Sequence, residues 1–276
     1  MSLAESFSAW ITAAATRSKS GLSLLLAPEV QYNDLPPFRP FDDLDAFIAA
    51  TVSAEIQDTQ IDALAVDQEA GRVAARMIHR GESGGEWAKH AFVWFEDGKV
   101  VRVRSLNDVD ALSQIRHGSV PPPAVPRSAA PTPTAPLLSS AELESEYRAY
   151  IDSINNHTMY SHFPRFVQPT VTHNTNTLTL RTYADFIETS FEEIKGLHFN
   201  IKEIVCDSEK QQIAAWLEFT GTPQIVLRGI EPTGRSVRFT EFVMYSLKEG
   251  KIDTVWSLLD FDAYRRCLSG EIDPRV

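Results

Sequence analysis

The sequence predicts an α+β protein made of two similar domains in tandem, each a curved, mostly antiparallel sheet wrapped around N-terminal helices. Three observations predict it: an internal repeat, a proline-rich stretch between the copies, and helical patterns that give way in each copy to long β-branched and aromatic runs. The repeat begins at Pro28-Glu29-Val30-Gln31-Tyr32-Asn33, which aligns with Pro169-Thr170-Val171-Thr172-His173-Asn174. Asp45-Ala46-Phe47-Ile48 answers Ala184-Asp185-Phe186-Ile187, and Val73-Ala74-Ala75-Arg76 answers Ile213-Ala214-Ala215-Trp216. Phe95-Glu96-Asp97-Gly98-Lys99-Val100 answers Leu247-Lys248-Glu249-Gly250-Lys251-Ile252, each read as a turn between two strands.

The first copy is expected at residues 1–117 and the second at 139–276, joined by a Pro/Ala-rich linker at 118–138 that holds seven of the sixteen prolines. Each copy opens on a helical pattern, at 3–20 and at 140–156. The second is announced by the capping-box spacing of Ser139-Ser140-Ala141-Glu142. A second helix follows near 42–57 and near 181–195. The strands of the second copy are expected at 198–206, 211–221, 235–247 and 251–260. A sheet curled over two or three helices leaves a pocket at its open end, the natural place for function.

A chain of 276 residues suffices for two domains that each bury a core. The net charge of −11 with no basic stripe argues against a nucleic-acid backbone or an anionic membrane as partner, and leaves small uncharged ligands open. The start of the chain lacks the basic and apolar segments of a secretory signal, and Leu24-Leu25-Leu26 is too short to span a bilayer. Cys206 and Cys267 do not read as a disulfide framework, which suits a reducing, cytoplasmic compartment.

The second copy resembles the SnoaL-like polyketide cyclases of the NTF2-like superfamily. The residues that carry the resemblance are Val171-Thr172-His173-Asn174, Gly221-Thr222, the segment Gly229-Ile230-Glu231-Pro232-Thr233-Gly234-Arg235, and Glu249-Gly250-Lys251-Ile252 followed by Trp256 and Asp260. The first copy lacks the Gly-Ile-x-Pro-Thr-Gly-Arg segment and resembles the family more weakly. The resemblance implies two cone-shaped α+β barrels, a cofactor-free and metal-free acid–base enzyme, and a bulky natural-product intermediate as substrate. It also implies sheet-mediated pairing, so that a tandem chain would be its own pseudo-dimer.

Cyclisation, isomerisation and dehydration each need a base for an acidic C–H and a donor for the developing enolate oxygen. Strand alternation puts Trp256, Leu258 and Asp260 on one face; with Trp256 inward, Asp260 is a candidate catalytic carboxylate, the alternative being a turn or cap residue like Asp108 in the first copy. His173, where the first copy has Tyr32, is the second candidate, the alternative being a hydrogen-bonded core histidine. Asn174 either positions substrate or satisfies a turn. Glu241 lies on the apolar row Phe239, Glu241, Val243 and Tyr245, and is either catalytic, paired with a buried partner, or facing solvent or the other domain; Tyr245, Trp256, Trp216 and Glu218 join Asn174 as expected substrate contacts. Glu218 and Trp216 share a face, expected near Glu241 or on the exposed side as a cross-strand pair. In the first copy Lys89 stands where Glu241 does, Ala91 where Val243 does and Arg104 where Trp256 does, which suggests a filled or salt-bridged interior and a structural role. The reading from another class is a non-catalytic binding protein or scaffold.

Overall fold

The computed structural model describes residues 1–40, 42–51, 55–121 and 135–274. The chain divides into two compact units, 1–127 and 128–276. Most of the segment expected as a linker lies outside the described residues.

In the first unit the Ser2–Glu5 capping box starts α1 (Leu3–Ala15), and Ser18 caps α2 (Lys19–Leu25). A single helix at 3–20 was expected; the break falls at Arg17, whose φ of 50° lies in the left-handed region. The chain continues through β1 (Leu26–Tyr32), α3 (Leu44–Thr51), β2 (Ile56–Asp67), β3 (Arg72–Gly81), β4 (Glu86–Glu96), β5 (Lys99–Asn107) and α4 (Val109–Arg116). The sheet runs β1-β5-β4-β3-β2, with only the β1–β5 pair parallel. Phe7 and Trp10 of α1, three residues apart, pack with Met77, Ala91 and Val93 on the concave face of the sheet.

The second unit repeats this plan with additions. The Ser139–Glu142 box caps α5 (Ser140–Asn155) as its spacing predicts. There follow α6 (Met159–Phe166), β6 (Val167–His173), β7 (Asn176–Thr179), α7 (Leu180–Glu193), β8 (Ile194–Asp207), β9 (Gln212–Pro223), β10 (Val237–Lys248), β11 (Lys251–Leu259) and α8 (Phe261–Ser269). The order β7-β6-β11-β10-β9-β8 is parallel only between β6 and β11. Both sheets end in edge strands, so the expected barrels are open curved sheets. The sequence reading missed α2, α4, α6, α8 and β7. Cys206 and Cys267 are buried and free. Among the described residues no helix is long and apolar enough to cross a membrane.

Two devices recur at equivalent places and set which side chains face inward. The first is a bulge. In the β10–β11 hairpin Lys248 opposes Lys251 and Leu247 opposes Ile252, but Ser246 opposes Thr254, so Asp253 is an extra residue. In the β4–β5 hairpin Phe95 opposes Val100 while Trp94 opposes Arg102, which makes Val101 the extra one. The second is an asparagine in the left-handed region that ends the first strand, Asn33 at φ 50° and Asn174 at φ 51°. The Ser105 N–H donates to Asn33 Oδ1 at 2.7 Å. The Ser257 N–H likewise donates to Asn174 Oδ1 at 2.9 Å, and Asn174 Nδ2 donates back to the Ser257 carbonyl at 3.1 Å.

Candidate active site

The concave face of the second sheet carries Ala215, Leu217 and Phe219 from β9, Phe239, Val243 and Tyr245 from β10, and Val255 from β11, all in one buried core. Glu241 sits in the same alternating row of β10, between Phe239 and Val243. Burial drives its carboxyl up to about 7, against the counter-pull of a hydrogen bond from Ser257. Ser257 Oγ donates to Glu241 Oε1, an approach permitted because Ser257 opposes Val243, the next residue on the same face.

Four tyrosines lie close enough to this pair to feel the charge of Glu241. Tyr147 and Tyr150, three apart on the apolar stripe of α5, meet Tyr245 and Tyr183: the Tyr147 and Tyr245 hydroxyls lie 3.4 Å apart and those of Tyr150 and Tyr183 2.8 Å apart. All four phenols are pushed above their ordinary value, chiefly by burial, with the negative charge of Glu241 adding to the shift. They remain protonated donors at neutral pH. His173 closes the arrangement, its ring 6.0 Å from Tyr183 and 5.1 Å from Phe186. Burial lowers its pKa to about 4, so the imidazole is neutral at physiological pH and offers one N–H and one lone pair. His173 ends its strand, where the sequence reading had it start one.

The structure thus places Glu241, Tyr245 and His173 on one inner surface and puts the other candidates elsewhere. Asp260 is the N-cap of α8 and accepts from the Ala263 N–H at 2.9 Å. Asp108 does the same for α4, accepting from the Ala111 N–H at 3.0 Å. Both acids therefore fill the cap role left open as an alternative. Trp256 opposes Met244 across the hairpin and lies on the convex face, opposite to Ser257. Trp216 opposes Phe242 and meets its ring edge-on at 5.9 Å, also on the convex face. Glu218 opposes Thr240 there and pairs with Lys202 at 3.6 Å, the cross-strand alternative. Asn174 acts on the backbone of Ser257. Burial holds the Asp260 carboxyl above its ordinary value, so replacing it by Asn, an equally good cap, is expected to leave the fold at least as stable at neutral pH, whereas Asp260→Ala costs about 1 kcal/mol. Neither is expected to change turnover by more than about threefold; a loss as large as that of a catalytic group would return Asp260 to the site.

Ser257, Tyr147, Tyr150 and Tyr183 were missed. The tyrosines carried a signal, since hydroxyls on the buried stripe of an amphipathic helix need partners. Ser257 was hidden by the extra residue in its hairpin. Among the described residues no three His, Cys, Asp or Glu side chains converge as a metal site would require.

The model of the SnoaL-like polyketide cyclase family matches residues 145–266. A SnoaL-like polyketide cyclase from Agrobacterium tumefaciens is 35% identical; the match covers 45% of this chain and 95% of that one, with a TM-score of 0.43. AclR, a putative hydroxylase from Streptomyces galilaeus, is 17% identical over 49% of this chain and 99% of its own, with a TM-score of 0.40. IdmH, a putative polyketide cyclase from Streptomyces antibioticus, is 13% identical over 47% and 97%, with a TM-score of 0.39. No curated protein matches the chain.

Proposed function

Because this chain belongs, through its second unit, to the SnoaL-like polyketide cyclase family, we propose that it is an acid–base enzyme that cyclises, isomerises or dehydrates a carbonyl-bearing polycyclic intermediate, with Glu241 moving the proton. The observation that carries the reading is a buried carboxyl raised to about 7, with Ser257 donating to it and four protonated tyrosines close enough to feel its charge. Such a group is part carboxylate at neutral pH, yet strong enough as an acid to return the proton it takes. In the proposed step a C–H bond next to a carbonyl breaks. Its proton goes to a Glu241 oxygen and its electron pair to the carbonyl oxygen, giving an enolate held by a tyrosine hydroxyl, Ser257 or the His173 N–H. The enolate carbon then attacks a second carbonyl, closing a ring as the new alkoxide takes the proton back from Glu241; a dienolate instead regains that proton at its far carbon, which moves a double bond; and an enolate with a β-hydroxyl re-forms its carbonyl as the hydroxyl leaves with that proton as water. His173 serves as a donor in this scheme; with a pKa near 4 it holds no spare proton at neutral pH.

The test is deuterium wash-in at the acidic C–H of a panel of bulky aryl 1,3-diketones in heavy water. Wild type is expected to accelerate exchange and Glu241→Gln to lose that acceleration. Tight binding of the panel with no acceleration would instead favour a non-catalytic binding protein, a reading to which the four tyrosines filling the interior around Glu241 also lend support.

A further inference from the structure

The first unit, expected to be filled or salt-bridged inside, holds a recess of about 480 Å³, open mouth included. Its walls are Trp10 and Ile11 of α1 with Met77 and Ala91 of the sheet. The recess lies at the end of the concave face where the second unit has its glutamate. There Tyr32 occupies the position of His173, Ser105 that of Ser257 and Lys89 that of Glu241. Tyr32 Oη lies 2.9 Å from Ser105 Oγ and accepts from Lys89 Nζ at 3.3 Å. The two copies therefore place groups of opposite charge at equivalent positions, with different partners.

One buried atom without a partner and one cation without a counter-ion point to a ligand. Among the described residues no carboxylate lies within ion-pair distance of Lys89, whose recorded partners are the hydroxyl and ring of Tyr32. Arg104, the other charged replacement, pairs with Asp34 at 2.5 Å and lies on the convex face. His79, 4% exposed, bonds through Nδ1 to Thr59 Oγ1 at 2.8 Å, while its buried Nε2 has no partner. Buried polar atoms are normally paired, so the unpartnered Nε2 of His79, close to the half-buried Lys89 that has no carboxylate partner, marks a place suited to an anionic group.

We propose that the recess is a second binding site, for a small apolar carboxylic acid whose carboxylate pairs with Lys89 and is hydrogen-bonded by Tyr32 and His79, its hydrocarbon body lying between Trp10 and Met77. A carboxylate satisfies both unmet groups at once: it neutralises Lys89, and the Thr59 hydroxyl, by donating to Nδ1, leaves the proton on Nε2 as a second donor. The proposal does not depend on the reading of the second unit.

The experiment uses the full chain and three probes of one shape, 3-(4-fluorophenyl)propanoate, its amide and the corresponding amine, followed by fluorine NMR and calorimetry. The acid is expected to bind saturably at one site, with the amide at least about tenfold weaker and the amine not bound. Lys89→Met, which keeps the stem and removes the charge, is expected to weaken the acid about thirtyfold or more. Glu241→Gln is expected to leave its affinity unchanged, which separates this recess from the site in the second unit. Equal binding of acid and amide on wild type would overturn the proposal without recourse to any variant. So would loss of the acid in Glu241→Gln with retention in a folded Lys89→Met.

Discussion

Replacing Glu241 by Gln is expected to lower turnover about 10²–10⁴-fold and, above neutral pH, to make the folded protein more stable. The two effects share one cause. A carboxyl at about 7 in the fold and near 4.5 in the unfolded chain binds more protons when folded, throughout that window. Stability is therefore greatest below the unfolded value, falls as pH rises between the two, and levels off above the folded value. The accumulated penalty is roughly 3 kcal/mol at about 1.4 kcal/mol per unit, of which the amide, neutral at every pH, removes a large part. The measurement is the difference in unfolding free energy between wild type and variant across the pH range. Wild type alone is a poor reporter, because His173 and His79, lowered to about 4 and about 3, make the fold less stable as pH falls below the ordinary histidine value. A variant that is inactive but less stable at high pH would mean that Glu241 is a structural group after all.

The second large effect is on the pH profile of kcat/KM. With Glu241 as base, activity is expected to fall about tenfold per pH unit below about 7, a hundredfold across two units. Ser257→Ala removes the hydrogen bond that favours the charged form, and so should move this acid limb upward. A limb that stays near 4 would point to an unshifted carboxylate such as an exposed acid. A limb that moves in Asp260→Asn but not in Ser257→Ala would reassign the base.

The repeat, the passage from helices to long strands in each copy and the cap of α5 were legible because each rests on local residues: aligned turns, a serine three before a glutamate, runs of β-branched side chains. The face of Glu241 was legible too, since Phe239, Val243 and Tyr245 alternate with it on one strand. The face of β11 was not. With Tyr245 inward, an unbroken hairpin would pair it with Thr254 and carry Trp256 and Asp260 inside. Tyr245 in fact opposes Val255, and the whole strand is turned over. Hydrophobicity gave no warning, because Trp256 is as apolar as any core residue. The recess of the first unit was missed for a related reason: Lys89 and Arg104 were read together as interior charges, although they lie on opposite faces of the sheet.

The single surplus residue in each hairpin makes the chemistry of this chain a matter of counting. Exchange of Asp253 or Val101 for another residue keeps the phase of the strand that follows, whereas loss of either, or gain of a neighbour, presents the other half of the strand to the interior and sends Ser257 or Ser105 outside. The same arithmetic governs how relatives are read. A gap slid by one place across this turn exchanges Ser257 for Trp256 in the interior, so two proteins with identical cavities can be made to look chemically distinct, and two distinct ones alike.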